Sequence, residues 1–189
     1  MLKKILIGLT VVIAVFLIVV ATRPNEFKLS RSTVINASPT EVFPQVNNFH
    51  NWKKWSPWAK LDPDMGFSFE GPDSGVGAVY DWYGNKQVGA GRITLTENRP
   101  PELVVLRLDF LKPRESVSKT EFTFVPEGAG TAVTWTMSGE MDFISKAVCM
   151  FMSMEKTMGP YFEKGLAQMK AEVEKRKEAG HDLHRRRST

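Results

Sequence analysis

Apolar residues follow three successive spacings along this chain. Residues 5–22 form an uncharged run of 18, rich in Ile, Val, Leu and Phe. As a helix rising about 1.5 Å per residue it is about 27 Å long, close to the thickness of a bilayer's hydrocarbon core. From Phe27 the spacing turns to alternation, and residues 27–36 read as a strand. Ser38-Pro39-Thr40-Glu41 then starts a helix, with a capping serine, proline at the first helical position and a glutamate that reaches back as capping-box partner. Val42, Phe43 and Val46 form its apolar face, Asn47 and Asn48 interrupt it, and a second short helical piece covers 49–55. Extended segments follow near 65–70, 76–83, 87–97, 103–111, 115–125 and 131–140. Turn signals separate them at Gly71-Pro72, Gly84-Asn85, Pro100-Pro101, Lys112-Pro113 and Glu127-Gly128. Links this short favour antiparallel pairing. The last spacing is helical, in stretches 143–158 and 160–178 divided at Gly159-Pro160. Phe162, Leu166, Met169 and Val173 stripe the second. From Gly180 the chain is polar and reads as a disordered basic tail. The plan is α+β: one transmembrane helix within 1–23, a domain over 24–179 with a curved antiparallel β-sheet wrapped around a long C-terminal α-helix, and a tail over 180–189.

In such a sheet one face is covered, so alternate residues point inward. The more apolar parity selects Ile93, Leu95, Leu106, Leu108, Phe110, Thr120, Phe122, Phe124, Val133, Trp135 and Met137. The opposite parity holds Arg92, Thr94, Arg107, Asp109, Lys119, Glu121, Thr134 and Thr136. Tyr80 and Trp82 share a parity and read as inward, although Asp81 and Tyr83 blur that strand. No carboxylate, histidine or lysine stands among the inward positions. General acid–base catalysis needs such a group within reach of substrate.

Charge changes the picture less than its total suggests. The chain carries 25 basic and 21 acidic residues. Setting aside Lys3, Lys4, Arg23 and the six basic and three acidic residues of 174–189 leaves 16 basic against 18 acidic. A domain so balanced lacks the basic face of a nucleic-acid binder. Lys3 and Lys4 before the apolar run place the amino terminus in the cytoplasm and the domain across the membrane, on the periplasmic side in a bacterium. Two readings of the run stay open. A cleaved secretory signal would use Val19 and Ala21 as its small-residue cleavage site. An uncleaved anchor better fits a run longer than the ~7–15 apolar residues of a signal core.

Candidate chemistry is sparse. Cys149 is the single cysteine and forms no internal disulfide. His50 is the domain's lone histidine, and Asp62, Asp64 and Asp73 sit around Pro63 and Pro72, where they read as solvated turn residues. His181 and His184 lack the further ligands of a metal site, so neither metal nor cofactor is expected. Trp52, Trp55 and Trp58 recur every third residue; they either form a rim that grips an apolar ligand or plug one end of the core. The stretch Ala147 to Met154, with Phe151 in it, is apolar nearly all round and suits a ligand entrance or burial. Gly165, inside a run of good helix formers, makes room either for the sheet or for a ligand.

Several segments together resemble a known family. They are Asn36-Ala37-Ser38-Pro39-Thr40-Glu41-Val42-Phe43, Trp52-Lys53-Lys54-Trp55-Ser56-Pro57-Trp58, Gly75-Val76-Gly77-Ala78, Val133-Thr134-Trp135 and Phe162-Glu163-Lys164-Gly165-Leu166. Over roughly 27–175 the chain resembles the START-like helix-grip superfamily (SRPBCC), in its polyketide cyclase/dehydrase and lipid-transport branch. The resemblance implies a cavity between sheet and C-terminal helix for a hydrophobic small molecule or lipid. With strand parity, it points to walls from Tyr80, Trp82, Leu95, Leu106, Leu108, Phe122, Phe124, Trp135, Met137 and Phe162, and a rim from Trp52, Trp55, Trp58 and Phe151. A membrane-anchored, noncatalytic binding domain is the expected function. A cyclase/dehydratase-type enzyme and a ligand-free interaction module at the membrane are the alternatives.

Overall fold

A computed structural model describes the backbone of residues 1–187 and the side chains of 1–178. An apolar helix, α1 (Leu2–Ala21), leads into β1 (Glu26–Ile35). Three four-residue helices follow, α2 (Pro39–Val42), α3 (Pro44–Asn47) and α4 (Trp52–Trp55), with short 3-10 turns before and after the last. The carboxylate of Glu41 folds back on Ser38, accepting its backbone N–H and its hydroxyl, both at 2.7 Å. These bonds hold the Glu41 pKa below its ordinary value. Six strands come next: β2 (Gly66–Glu70), β3 (Val79–Tyr83), β4 (Ala90–Arg99), β5 (Leu103–Lys112), β6 (Ser116–Glu127) and β7 (Gly130–Glu140). Helices α5 (Phe143–Cys149) and α6 (Met154–Arg187) complete the chain.

The seven strands form one antiparallel sheet in the order β1-β7-β6-β5-β4-β3-β2. Consecutive strands pair through short links, and only β1 reaches across to β7. The sheet curves around α6, whose Phe162, Leu166, Met169 and Val173 are all buried. The inward parity read from sequence is the buried one: Leu95, Leu106, Phe122, Phe124 and Val133 lie in the core. Asp81 is also buried, but on the outer face, where Arg92 forks onto both its oxygens at 2.7 and 2.8 Å. That bidentate pair explains how a carboxylate sits between the inward-facing Tyr80 and Trp82.

Two boundaries differ from those expected. The helical stretches are divided at residues 150–153, not at Gly159-Pro160, and α6 runs straight through Pro160. Proline removes the bond its N–H would make to the carbonyl four residues back. Here Arg31 of β1 spans the weakened turn, donating to Glu155 at 2.8 Å and to Glu163 at 2.7 Å. Gly159 admits this guanidinium, since a Cβ there would meet its terminal nitrogen. The second difference is the tail. Backbone helix continues past Gly180 to Arg187: one glycine costs only about 1 kcal/mol, and basic residues at a helix C-terminus oppose its dipole favourably. Residues 188–189 lie outside the described residues, as do the side chains of His181 and His184.

Candidate ligand cavity

An aromatic column joins sheet to helix. The Trp135 ring is stacked on Phe162 of α6 (centroids 4.1 Å apart, planes at 13°) and on Phe122 of β6 (4.9 Å, 26°). Trp55 and Trp58 meet it edge to face. Gly165 serves this approach, because a Cβ there would lie 2.9 Å from the Trp135 ring and 3.2 Å from Pro57. The room left by Gly165 is therefore taken by the protein's own sheet.

Beside the column lies a cavity of about 100 Å³. Of the expected wall, Tyr80, Trp82, Leu106, Leu108, Trp135, Met137 and Phe162 surround it. Leu95, Phe122 and Phe124 do not: they share the inward parity but are packed solid in the core, 1% exposed or less. Of the expected rim, Trp52 and Trp58 line the cavity. Trp55 is fully buried and donates its Nε1 proton to the Gln45 carbonyl at 2.9 Å, so it plugs the core. Phe151 is exposed and stacks on Phe16 of α1, with centroids 6.2 Å apart, away from the cavity.

Other walls went unnamed as site residues. Ile93, Phe110 and Thr120 belong to the inward parity already read. Met158 stands four residues before Phe162, and carrying the α6 stripe back through Pro160 finds it. Ser56, Met65 and Val88 arrive from loops, which hydrophobic periodicity does not place. A smaller void of about 60 Å³ shares Trp52, Ser56, Met65 and Tyr80 with the first and reaches Phe67 and Phe69 on the edge strand.

The cavity is apolar, with few polar atoms. Trp135 is 3% exposed, and its Nε1 is a buried donor without a hydrogen-bond acceptor. Tyr80 is the ionisable side chain on the wall of the larger cavity, and burial pushes its phenol up to about 12. Of the loop acids, Asp62 lines the smaller void, together with Lys53. Asp62 accepts the Asn85 N–H at 2.6 Å and so shapes a turn. His50 sits 3.5 Å from Asp73 and against the Phe69 ring, on the surface and off both cavity walls.

Comparison with known proteins agrees with this architecture. The family described as polyketide cyclase / dehydrase and lipid transport matches residues 26–174. A search of curated proteins finds no match. Among solved structures, protein CV1439 from Chromobacterium violaceum is 20% identical, with a TM-score of 0.54 over 80% of this chain and 99% of its own. The Aha1 dimer from Colwellia psychrerythraea is 16% identical, with a TM-score of 0.57 over 78% of this chain and 96% of its own. Mll3558 from Rhizobium loti is 22% identical, with a TM-score of 0.53 over 76% and 96%. At these identities the likeness is one of fold.

Proposed function

Because the chain belongs to the polyketide cyclase/dehydrase and lipid-transport family of helix-grip proteins, we propose that it is a membrane-anchored domain that binds a hydrophobic small molecule or lipid without transforming it. One observation carries the reading: an apolar cavity lies between the sheet and the C-terminal helix, with Leu106, Leu108, Trp135, Met137 and Phe162 in its wall. The preferred ligand is therefore apolar.

Size refines this. At about 100 Å³ the cavity holds a ring or the end of a chain, below the roughly 300–1,000 Å³ of drug-sized sites. Larger ligands need walls that move. Met65, Met137 and Met158 supply them, being unbranched and easily re-rotated, and Met65 also separates the cavity from the smaller void. The wall supports binding without catalysis, since the ionisable group on it is a phenol held protonated. Helix α1 is the anchor, with Lys3 and Lys4 inside and the domain on the extracytoplasmic face. The complete burial of Val20 and the contact of Phe16 with Phe151 favour an anchor retained against the domain over a cleaved signal.

Leu108→Phe tests the cavity. It fills space at a half-buried wall position, and overpacking costs about 1–3 kcal/mol. In the full-length protein it is expected to weaken binding of an apolar fluorescent probe, anilinonaphthalene sulfonate, about tenfold or more, with folding intact by near-UV circular dichroism. Unchanged probe binding in a folded Leu108→Phe protein contradicts the proposal and leaves the packed interaction module.

A further inference from the structure

Large exposed apolar side chains of the folded domain concentrate on one short segment. Phe143, Ile144 and Val148 of α5, with Phe151 and Met152 just after it, are 45, 60, 49, 79 and 57% exposed. Surface apolar groups scattered singly need no explanation, but a contiguous cluster marks an interaction face. This cluster adjoins α1. Phe16 stacks on Phe151, and the Met141 N–H, just before α5, bonds to the carbonyl of Asn25, just before β1, at 2.6 Å. Four residues, 22–25, separate α1 from β1, a reach of at most about 14 Å.

Depth follows from the helix. Phe16 is five residues before Ala21, the last of α1, hence about 7.5 Å below that end. A side chain stacked on it lies at about the 5–10 Å depth at which interfacial helices bury their apolar faces. We infer that α5 and the turn after it lie in the interface of the same bilayer that holds α1, with Phe151 among the acyl chains. The inference rests on the reading of α1 as a retained anchor. Lipid is the occupant because the patch is continuous with the lipid-facing surface of α1; a protein partner covering Phe151 would itself have to enter the bilayer.

This placement orients the cavity. Strand β5 ends at Lys112, β6 begins at Ser116 and β7 ends at Glu140, on the same sheet end from which α1 and α5 depart. Trp82, Leu108, Phe110 and Met137 of the cavity wall lie in the halves of their strands nearest that end. The cavity thus occupies the membrane-proximal half of the domain, and an apolar ligand passes to it from the acyl layer.

The test uses the full-length protein in phosphatidylethanolamine/phosphatidylglycerol vesicles. With Cys149→Ser as background, Met152→Cys carries an NBD fluorophore, and Val125→Cys, exposed on the far end of β6, is the comparison site. In vesicles containing lipid spin-labelled near the top of the acyl chain, the label at 152 is expected to lose at least about half its emission and the label at 125 almost none. A label at 152 that is unquenched, in protein that still resists alkaline carbonate extraction, overturns the interfacial placement and leaves the anchor standing. Extraction by carbonate overturns the anchor and this inference together. A label shielded in native membranes but unquenched in lipid-only vesicles assigns the patch to a protein partner and also overturns it.

Discussion

Tyr80 holds its proton to about pH 12 because burial disfavours the phenolate. Its ordinary value is 10.0, so the folded state binds this proton more tightly than the unfolded chain does. The stability this gives is fully present below pH 10 and is lost as pH rises through about 12. In an absorbance titration at 295 nm, Tyr80→Phe is expected to remove an ionisation phase near pH 12 and to flatten the alkaline fall in stability. Amplitude lost near pH 10 instead would mean that the phenol is open to water. Individual wall residues were legible where strand alternation fixes direction, as for Leu106, Leu108, Trp135 and Met137. Alternation does not tell a residue lining a void from one packed solid. Leu95, Phe122 and Phe124 share the parity of Leu106 and Met137, yet their neighbours close over them.

At the scale of elements, the strands and the Ser38 helix start were legible because their signals are local: alternation, turn dipeptides and a capping residue. The course of α6 was not. Gly159-Pro160 is a sound local break, but it is overridden by Arg31, which is 124 and 132 residues away in sequence from the two glutamates it joins. Hydrogen bonds to those glutamates, ahead of their charges, raise the Arg31 pKa above its ordinary value, so the bracketing guanidinium stays charged. Arg31→Met is expected to speed amide exchange over residues 154–163 and to lower the melting temperature. Arg31→Lys should restore neither in full, since one ammonium nitrogen replaces the two spaced nitrogens, Nε and Nη1, that reach Glu163 and Glu155. Exchange confined to other segments would mean that the turn at Pro160 stands without the bracket.

The whole molecule couples an apolar N-terminal helix to a packed helix-grip domain through four linker residues and the α1–α5 contact. The family and its α+β plan were readable from motifs spread over most of the chain. The small size of the cavity was not, because volume depends on how Trp58, Met65 and Met158 settle against one another. Nor was the role of Phe151, read as a cavity rim and found against α1, since a contact between the two ends of a chain leaves no periodic trace. The central claim is that the cavity between sheet and α6 receives an apolar molecule from the membrane. Native mass spectrometry of the full-length protein, released from discs of its own membrane, tests this most directly. The account predicts a one-to-one adduct with an apolar molecule in the wild type and its loss in Leu108→Phe. Wild-type protein without any adduct, or an adduct equally abundant in both proteins, would contradict it.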